Sequence, residues 1–127
     1  MNKNICVLID DDEDDQLIFE TVIHMSFPDY ELRLFSRFEE AKPYLTENAH
    51  RIGPIFIDLN MPKANGIDCL NFLRSVPDYQ DAPIIIYSTS KNPDDAQKSL
   101  KNGATAFISK PSRIKDLITE LSPWLNN

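Results

Sequence analysis

Several features that mark special classes of protein are missing from this sequence of 127 residues. The only two cysteines, Cys6 and Cys69, lie in apolar segments without metal-type spacing, so we interpret them as buried free thiols. Three glycines exclude a collagen-like chain. No apolar run approaches the roughly 20 residues of a membrane helix, and the N-terminal segment does not have the pattern of a signal peptide. We therefore expect a cytoplasmic protein with no membrane partner.

Positive charge is also scarce. Thirteen Lys and Arg residues stand against twenty Asp and Glu residues, giving a formal net charge of −7. Such a surface repels nucleic acid phosphates, and no cluster of four or more basic residues counters that repulsion. We therefore expect no nucleic acid partner. The 42% of apolar residues and the 26% of charged residues are typical of a globular domain.

Short apolar runs alternate with helical patterns along the chain. Three runs are almost uninterruptedly apolar and each contains β-branched residues, namely residues 5–9, 55–57 and 84–87. Such runs predict strands buried on both faces of a parallel sheet. Residues 30–35 and 104–109 are more polar and predict edge strands. A helical pattern follows each run, although Pro43 falls inside the pattern of residues 37–47 and should kink or shorten that helix. The alternation predicts an α/β fold, an open parallel sheet with helices on both faces.

Polar side chains follow four of these strands. Asp10 and Asp11 follow the first strand, Asp58 the third, Ser88 the fourth and Lys110 the fifth. Ligands of open α/β sheets bind outside the carboxyl ends of the strands. We therefore expect these carboxylates, the hydroxyl and the ammonium to converge at one edge of the sheet.

The acidic run of residues 10–15 has two interpretations. A helix start, with Asp12 as N-cap, accounts for its later residues. It does not account for Asp10 and Asp11, whose carboxylates near Asp58 would repel one another unless a cation held them. Oxygen ligands of this kind suit Mg²⁺, although a purely structural cluster stays open.

Lys110 and Ser88 also have ordinary interpretations, as a solvated surface lysine and as a helix cap. Together with Asp58 they describe a phosphoryl-transfer site. In such a site a carboxylate attacks phosphorus in line, while the metal and the ammonium stabilise the phosphoryl oxygens.

Four sequence elements carry a resemblance to a known family: I-D-D at 9–11, D-L-N-M-P-x-x-x-G at 58–66, Y-S-T at 87–89 and S-K-P at 109–111. In this order and spacing, the chain resembles the receiver domain of two-component response regulators, similar to the chemotaxis-type, stand-alone members. The resemblance covers essentially the whole chain. It implies the doubly wound (βα)5 fold of the flavodoxin-like, CheY-like type, with five parallel strands in the order 2-1-3-4-5.

The resemblance also assigns roles to site residues. Asp58 would be the phosphorylated residue, taking a phosphoryl group from a phosphohistidine. Asp10, Asp11 and Asp58, with the backbone carbonyl of Asn60, would hold Mg²⁺. Ser88 and Lys110 would bind phosphoryl oxygens.

Two further features are implied for the response to phosphorylation. Phe107 matches an aromatic position whose rotamer follows the inward movement of the Ser88 hydroxyl, although an ordinary core aromatic would fit as well. The Lys110–Pro111 peptide bond is expected to be cis.

The implied partners are a sensor histidine kinase or a histidine phosphotransfer protein, and a downstream target protein. Homodimerisation stays open. Because the chain ends soon after the predicted fifth helix, we expect residues 1–127 to form a single receiver domain without an output domain. Such a domain is not an enzyme, since it catalyses only its own phosphorylation and dephosphorylation.

Three other functions are less consistent with the residues. A haloacid-dehalogenase-type phosphohydrolase would need D-x-D-x-T/V and a cap, whereas Glu13 and Asp14 follow here and 127 residues leave no room for a cap. A receiver-like adaptor that is never phosphorylated normally loses part of the acidic or lysine set, which is retained here. A phosphotransfer role for His24 or His50 is not indicated, because His24 lies at a predicted helix end and His50 in a predicted loop, where both are more simply surface residues.

Overall fold

The sheet has the predicted number and order of strands. The computed structural model describes residues 3–62 and 65–125, so the ends of the expected domain and Lys63 and Ala64 lie outside the described residues. Five parallel strands pair in the order β2-β1-β3-β4-β5. The elements are β1 (Ile5–Ile9), α1 (Glu13–Ser26), β2 (Glu31–Phe35), α2 (Phe38–Glu47), β3 (Ile52–Ile57), α3 (Gly66–Ser75), β4 (Ile84–Ser88), α4 (Pro93–Lys101), β5 (Ala106–Ser109) and α5 (Ile114–Leu125).

Both faces of the sheet are covered by helices. Every residue of β1, β3 and β4 is buried, whereas β2 and β5 are only partly buried, as expected of edge strands. Because side chains alternate along a strand, β1 contributes to two cores. Val7 packs with α2 and α3 on one face, and Leu8 packs with α1 and α5 on the other. The predicted layers are therefore confirmed.

The third strand is longer than its apolar run predicted. It begins at Ile52 and includes Gly53 and Pro54, two residues that argue against a strand interior. The register explains the difference: Ile5 pairs with Ile52 but Val7 pairs with Ile55, so β3 carries one extra residue there. A bulge of this kind tolerates a glycine and a proline.

Helix ends follow the local signals of the sequence. The Asp12 carboxylate caps α1 by accepting the backbone N–H of Asp15 at 2.9 Å. Gly103, with a φ of 103°, takes the left-handed conformation after α4 that only glycine adopts readily. Of the two effects expected of Pro43, shortening does not occur, because α2 continues to Glu47, and a kink at the proline stays a prediction. Buried Ala41 and Leu45 hold the helix against the sheet on either side of the proline.

Among the described residues, no helix combines the length and the apolar character needed to cross a membrane.

Gly66 is required by a close approach of α3 to β3. A Cβ atom at this position would lie 2.5 Å from the carbonyl oxygen of Asp58 and 2.8 Å from the Cα of Leu59. Both neighbours are backbone atoms, so no side-chain rotation relieves the contact. We expect Gly66→Ala to lower the free energy of unfolding in urea by about 1–3 kcal/mol.

The matched control is Asn71→Ala, which adds no atoms and alters an exposed position of the same helix. Equal stability of the two variants would show that the β3–α3 junction adapts without cost.

Candidate functional site

Three predicted carboxylates meet at the carboxyl ends of β1 and β3. Asp10, Asp11 and Asp58 each offer an oxygen, and these oxygens lie within 4.8 Å of one another. Asp10 is fully buried, Asp58 is 7% exposed and Asp11 is exposed. One small cation could contact all three, and the exposed side of Asp11 leaves the cluster accessible to solvent.

Backbone hydrogen bonds of the sheet fix this position. The N–H of Asp10 donates to the carbonyl of Phe35 at 2.9 Å, and the N–H of Asp58 donates to the carbonyl of Ile9 at 2.9 Å. The parallel pairing therefore continues one residue beyond β1 and β3. The two buried carboxylates are held side by side by the sheet itself.

Burial and mutual repulsion disfavour the charged forms of these carboxylates. Burial raises the pKa of Asp58 to about 6, and the negative charges of Asp10 and Asp11 add to the effect. The ammonium of Lys110 and the backbone N–H of Asn60 act in the opposite direction. Burial also raises the pKa of Asp10, despite its hydrogen bonds with Lys110 and with the N–H of Asp12. Negative charge at this edge is thus incompletely compensated by the protein.

Lys110 is a buried member of the site rather than a solvated surface lysine. Its Nζ lies 2.7 Å from Asp10 Oδ2, 2.7 Å from Asp15 Oδ2 and 3.8 Å from Asp58 Oδ1. The Lys110 side chain is only 8% exposed. Burial alone would lower the pKa of Lys110, but the hydrogen bonds to Asp10 and Asp15 outweigh burial, so the pKa is raised.

Asp15 is the residue that the sequence interpretation missed, because it was assigned only to the helix start. It lies in the first turn of α1, one helical turn after Asp11. Side chains of a helix point back towards its N-terminus, which here faces the strand ends. This direction of helix side chains could have predicted that Asp15 lies near Lys110.

Ser88 lies at the same edge, as the last residue of β4. It is fully buried, and its Oγ accepts the backbone N–H of Ser90 at 3.0 Å. The N-cap of α4 is Asn92, so Ser88 does not cap that helix. The backbone N–H of Lys110 donates to the carbonyl of Ser88 at 2.6 Å, which ties the end of β4 to the end of β5.

The two remaining predicted residues border the site. Asn60 is exposed and forms an isolated antiparallel bridge with Asn65, whose side chain caps α3. Phe107 in β5 is partly buried and packs against the core cluster that contains β1, α2 and α3. This packing is consistent with either interpretation of Phe107.

The expected cis Lys110–Pro111 bond is wrong for this structure. Both residues are described, and no cis peptide bond occurs among the described residues. The bond therefore has the trans form, which X–Pro peptides favour intrinsically by about 0.5–1 kcal/mol.

A surface cavity of about 750 Å³ opens beside the acidic cluster. Its lining comes from the loops after β1, β2 and β3 and from the start of α2, namely Asp11, Ser36, Arg37, Phe38, Glu39, Glu40, Met61 and Pro62. The exposed side of the cluster is therefore bordered by open space.

Residues 6–122 match the family model of the response regulator receiver domain. The chain belongs to this family. The receiver domain is 29% identical over 118 residues to response regulator Rcp1 of Synechocystis, covering 89% of this chain and 80% of Rcp1. It spans smaller shares of other relatives, such as 48% of the transcriptional regulatory protein PrrA of Mycobacterium tuberculosis, with which it is 28% identical over 119 residues.

Solved structures agree with this assignment. The Mn²⁺-bound form of Rcp1 superposes with a TM-score of 0.83 at 28% identity, covering 98% of this receiver domain and 96% of Rcp1. The phosphorylated cyanobacterial phytochrome response regulator RcpA gives a TM-score of 0.85 at 26% identity, covering 97% and 94%. The predicted family and fold are confirmed, and the phosphohydrolase interpretation is set aside. The roles of individual residues stay predictions.

The raised pKa of Asp58 makes its ionisation unfavourable to folding. In the unfolded chain the Asp58 carboxyl has its ordinary pKa of 3.8. Its ionisation therefore does not lower the free energy of unfolding below that pH, lowers it increasingly as the pH rises, and has its full effect above a pH of about 6. We expect Asp58→Asn to raise the free energy of unfolding by about 1–3 kcal/mol near pH 7.5 in EDTA, as measured by urea titration. The difference in the free energy of unfolding between Asp58→Asn and the parent should disappear as the pH is lowered towards 4.

Asp78→Asn, the same change on an exposed residue, serves as the control and should alter stability little. A stabilisation by Asp58→Asn that does not depend on pH would contradict the electrostatic explanation.

Proposed function

We propose that this receiver domain accepts a phosphoryl group on Asp58 from the phosphohistidine of a sensor histidine kinase or a histidine phosphotransfer protein. The observation that carries the proposal is the meeting of Asp10, Asp11 and Asp58 within 4.8 Å, with the ammonium of Lys110 beside them. A carboxylate nucleophile, a cluster of oxygen ligands and a buried cation are the groups that phosphoryl transfer to aspartate requires.

The donor set fits a hard divalent cation such as Mg²⁺. Asp10, Asp11 and Asp58 supply only oxygen atoms, and a single ammonium does not balance their charge. These three residues, with the backbone carbonyl of Asn60, would hold the ion. When bound, Mg²⁺ would neutralise the carboxylates and polarise a phosphoryl oxygen. The Mn²⁺-bound form of the relative Rcp1 supports a divalent ion in this fold.

The nucleophile is the ionised carboxylate of Asp58. One of its oxygens forms a bond to phosphorus while the P–N bond of the phosphohistidine breaks, and the electron pair of that bond stays on the imidazole. Lys110 Nζ, 3.8 Å from Asp58 Oδ1, is near enough to bond a phosphoryl oxygen after a small movement. The Ser88 hydroxyl, at the end of the neighbouring strand, would bind another phosphoryl oxygen.

The response to phosphorylation would pass through β4 and β5. Movement of Ser88 and Lys110 towards the phosphoryl group would repack Phe107 and alter the surface formed by α4, β5 and α5. That surface would contact a downstream protein in the cytoplasm. The domain would act only on its own phosphoryl group and would not be an enzyme with separate substrates.

We expect acetyl phosphate or phosphoramidate with Mg²⁺ to add one phosphoryl group, as seen by intact-protein mass spectrometry. Asp58→Asn should abolish the addition because it removes the nucleophile. Asp68→Asn, an exposed aspartate of α3, is the matched control and should be modified like the parent. An unchanged mass of the parent protein under these conditions would refute the proposal.

Mg²⁺ should also raise the melting temperature, because an ion that binds only the folded state stabilises it. At about 100 times the dissociation constant the gain is about 2.7 kcal/mol. Asp11→Ala should remove most of this gain, whereas Asp14→Ala, in the same acidic run, should keep it. If all three proteins respond equally to Mg²⁺ in a thermal melt, the cluster is a helix start and not a metal site.

A further inference from the structure

We propose that Asp15 is a positioning residue that holds the ammonium of Lys110 in place before phosphorylation and releases it to the phosphoryl group afterwards. The inference rests on the proposed function and adds a residue that controls its rate. Asp15 does not contact the reacting atoms; it acts through Lys110.

Two of the three N–H groups of the Lys110 ammonium are engaged away from Asp58. Nζ makes two hydrogen bonds of 2.7 Å, to Asp10 Oδ2 and to Asp15 Oδ2. The 3.8 Å separation from Asp58 Oδ1 is beyond hydrogen-bond distance. The ring of Tyr87, with its centroid 5.2 Å from Nζ, borders the ammonium as well. The third N–H is the one that could bond a group on Asp58, and the two bonds of 2.7 Å restrain the ammonium from turning or moving towards that group.

The two partners of Lys110 differ in how easily they release it. Asp10 is fully buried, and its other oxygen accepts the N–H of Asp12 at 2.9 Å. Asp15 has a side chain that is 25% exposed, so water can replace the ammonium there at lower cost. Asp15 is thus the partner that releases Lys110 first. Its position is itself fixed, because the backbone N–H of Asp15 is capped by the Asp12 side chain.

The contact between Asp15 and Lys110 stabilises the unmodified domain more than the modified one. It therefore opposes phosphorylation in two ways: it competes for the ammonium, and it adds a negative charge near an anionic phosphoryl donor. Removing the charge while keeping the shape of the side chain should favour the phosphorylated form and its analogues.

Two measurements test this role of Asp15. The first is the rate constant of phosphorylation by acetyl phosphate at saturating Mg²⁺. The second is the affinity for beryllofluoride with Mg²⁺, a phosphoryl analogue that involves no transfer chemistry. We expect Asp15→Asn to increase both by about five- to tenfold, the size of one ordinary intramolecular hydrogen bond. Asp15→Glu, which restores the carboxylate, should return both values towards those of the parent.

Asp14→Asn is the matched control, since it removes the same charge from an exposed neighbour in the same helical turn. It should change both values much less than Asp15→Asn does. In a Lys110→Ala background, Asp15→Asn should tighten beryllofluoride binding much less than in the parent, because competition for the ammonium is lost and only the repulsion between negative charges remains, whereas a structural role of Asp15 would persist in full.

The outcomes separate this inference from the proposed function. If the parent protein takes up neither a phosphoryl group nor beryllofluoride, the proposed function fails and the inference fails with it. If the parent takes up both but Asp15→Asn behaves like Asp14→Asn, or slows the reaction, the function stands and the positioning role is overturned. An effect of Asp15→Asn that is undiminished without Lys110 would overturn it as well.

Discussion

The structure of the site depends on one imbalance of charge. Three carboxylates are brought within 4.8 Å of one another, two of them almost fully removed from water, and a single buried ammonium lies among them. Desolvation makes every one of these charges costly, and the raised pKa of Asp58 is the direct expression of that cost. Under the proposed function, positive charge from outside the chain would relieve this unfavourable arrangement. The site would then be prepared to bind a cation and, after it, an electrophile.

The sheet sustains this imbalance through its backbone. Hydrogen bonds from the N–H groups of Asp10 and Asp58 continue the parallel ladder past the last residues of β1 and β3, so the backbone at these two residues cannot separate without breaking the pairing. On the other side of Asp58, α3 begins at Gly66, against the carbonyl of Asp58 itself. The stability of the core is what offsets the repulsion at the edge.

The sequence predicted most of the fold because its signals there are local and redundant. Continuous apolar runs marked β1, β3 and β4, and the polar residues that follow them marked the site. Prediction failed where tertiary context outweighed a local rule. The bulge between β1 and β3 let Gly53 and Pro54 lie in a strand, and buried neighbours carried α2 past Pro43. The Lys110–Pro111 bond is trans, whereas a cis bond was expected from the family resemblance alone.

The missed residue has a similar explanation. Asp15 belongs to a run of six acidic residues, and composition alone cannot distinguish a carboxylate that complements the helix dipole from one that contacts Lys110. The distinction depends on the angle at which α1 leaves the sheet, and that angle is set by packing residues such as Phe19 and Val22 in the core beneath it. Site residues on strand ends were thus predictable from the topology alone, whereas one on a helix required the direction of its side chain as well.

The link between the ends of β4 and β5 has a consequence for signalling. The backbone of Lys110 is bonded to Ser88, and the Ser109 hydroxyl donates to the carbonyl of Ser90 at 2.8 Å, so the two loops are joined by two hydrogen bonds. Inward movement of one loop would therefore draw the other with it or break these bonds. Under the proposed function, the ammonium and the hydroxyl would accordingly engage a phosphoryl group in concert rather than one after the other.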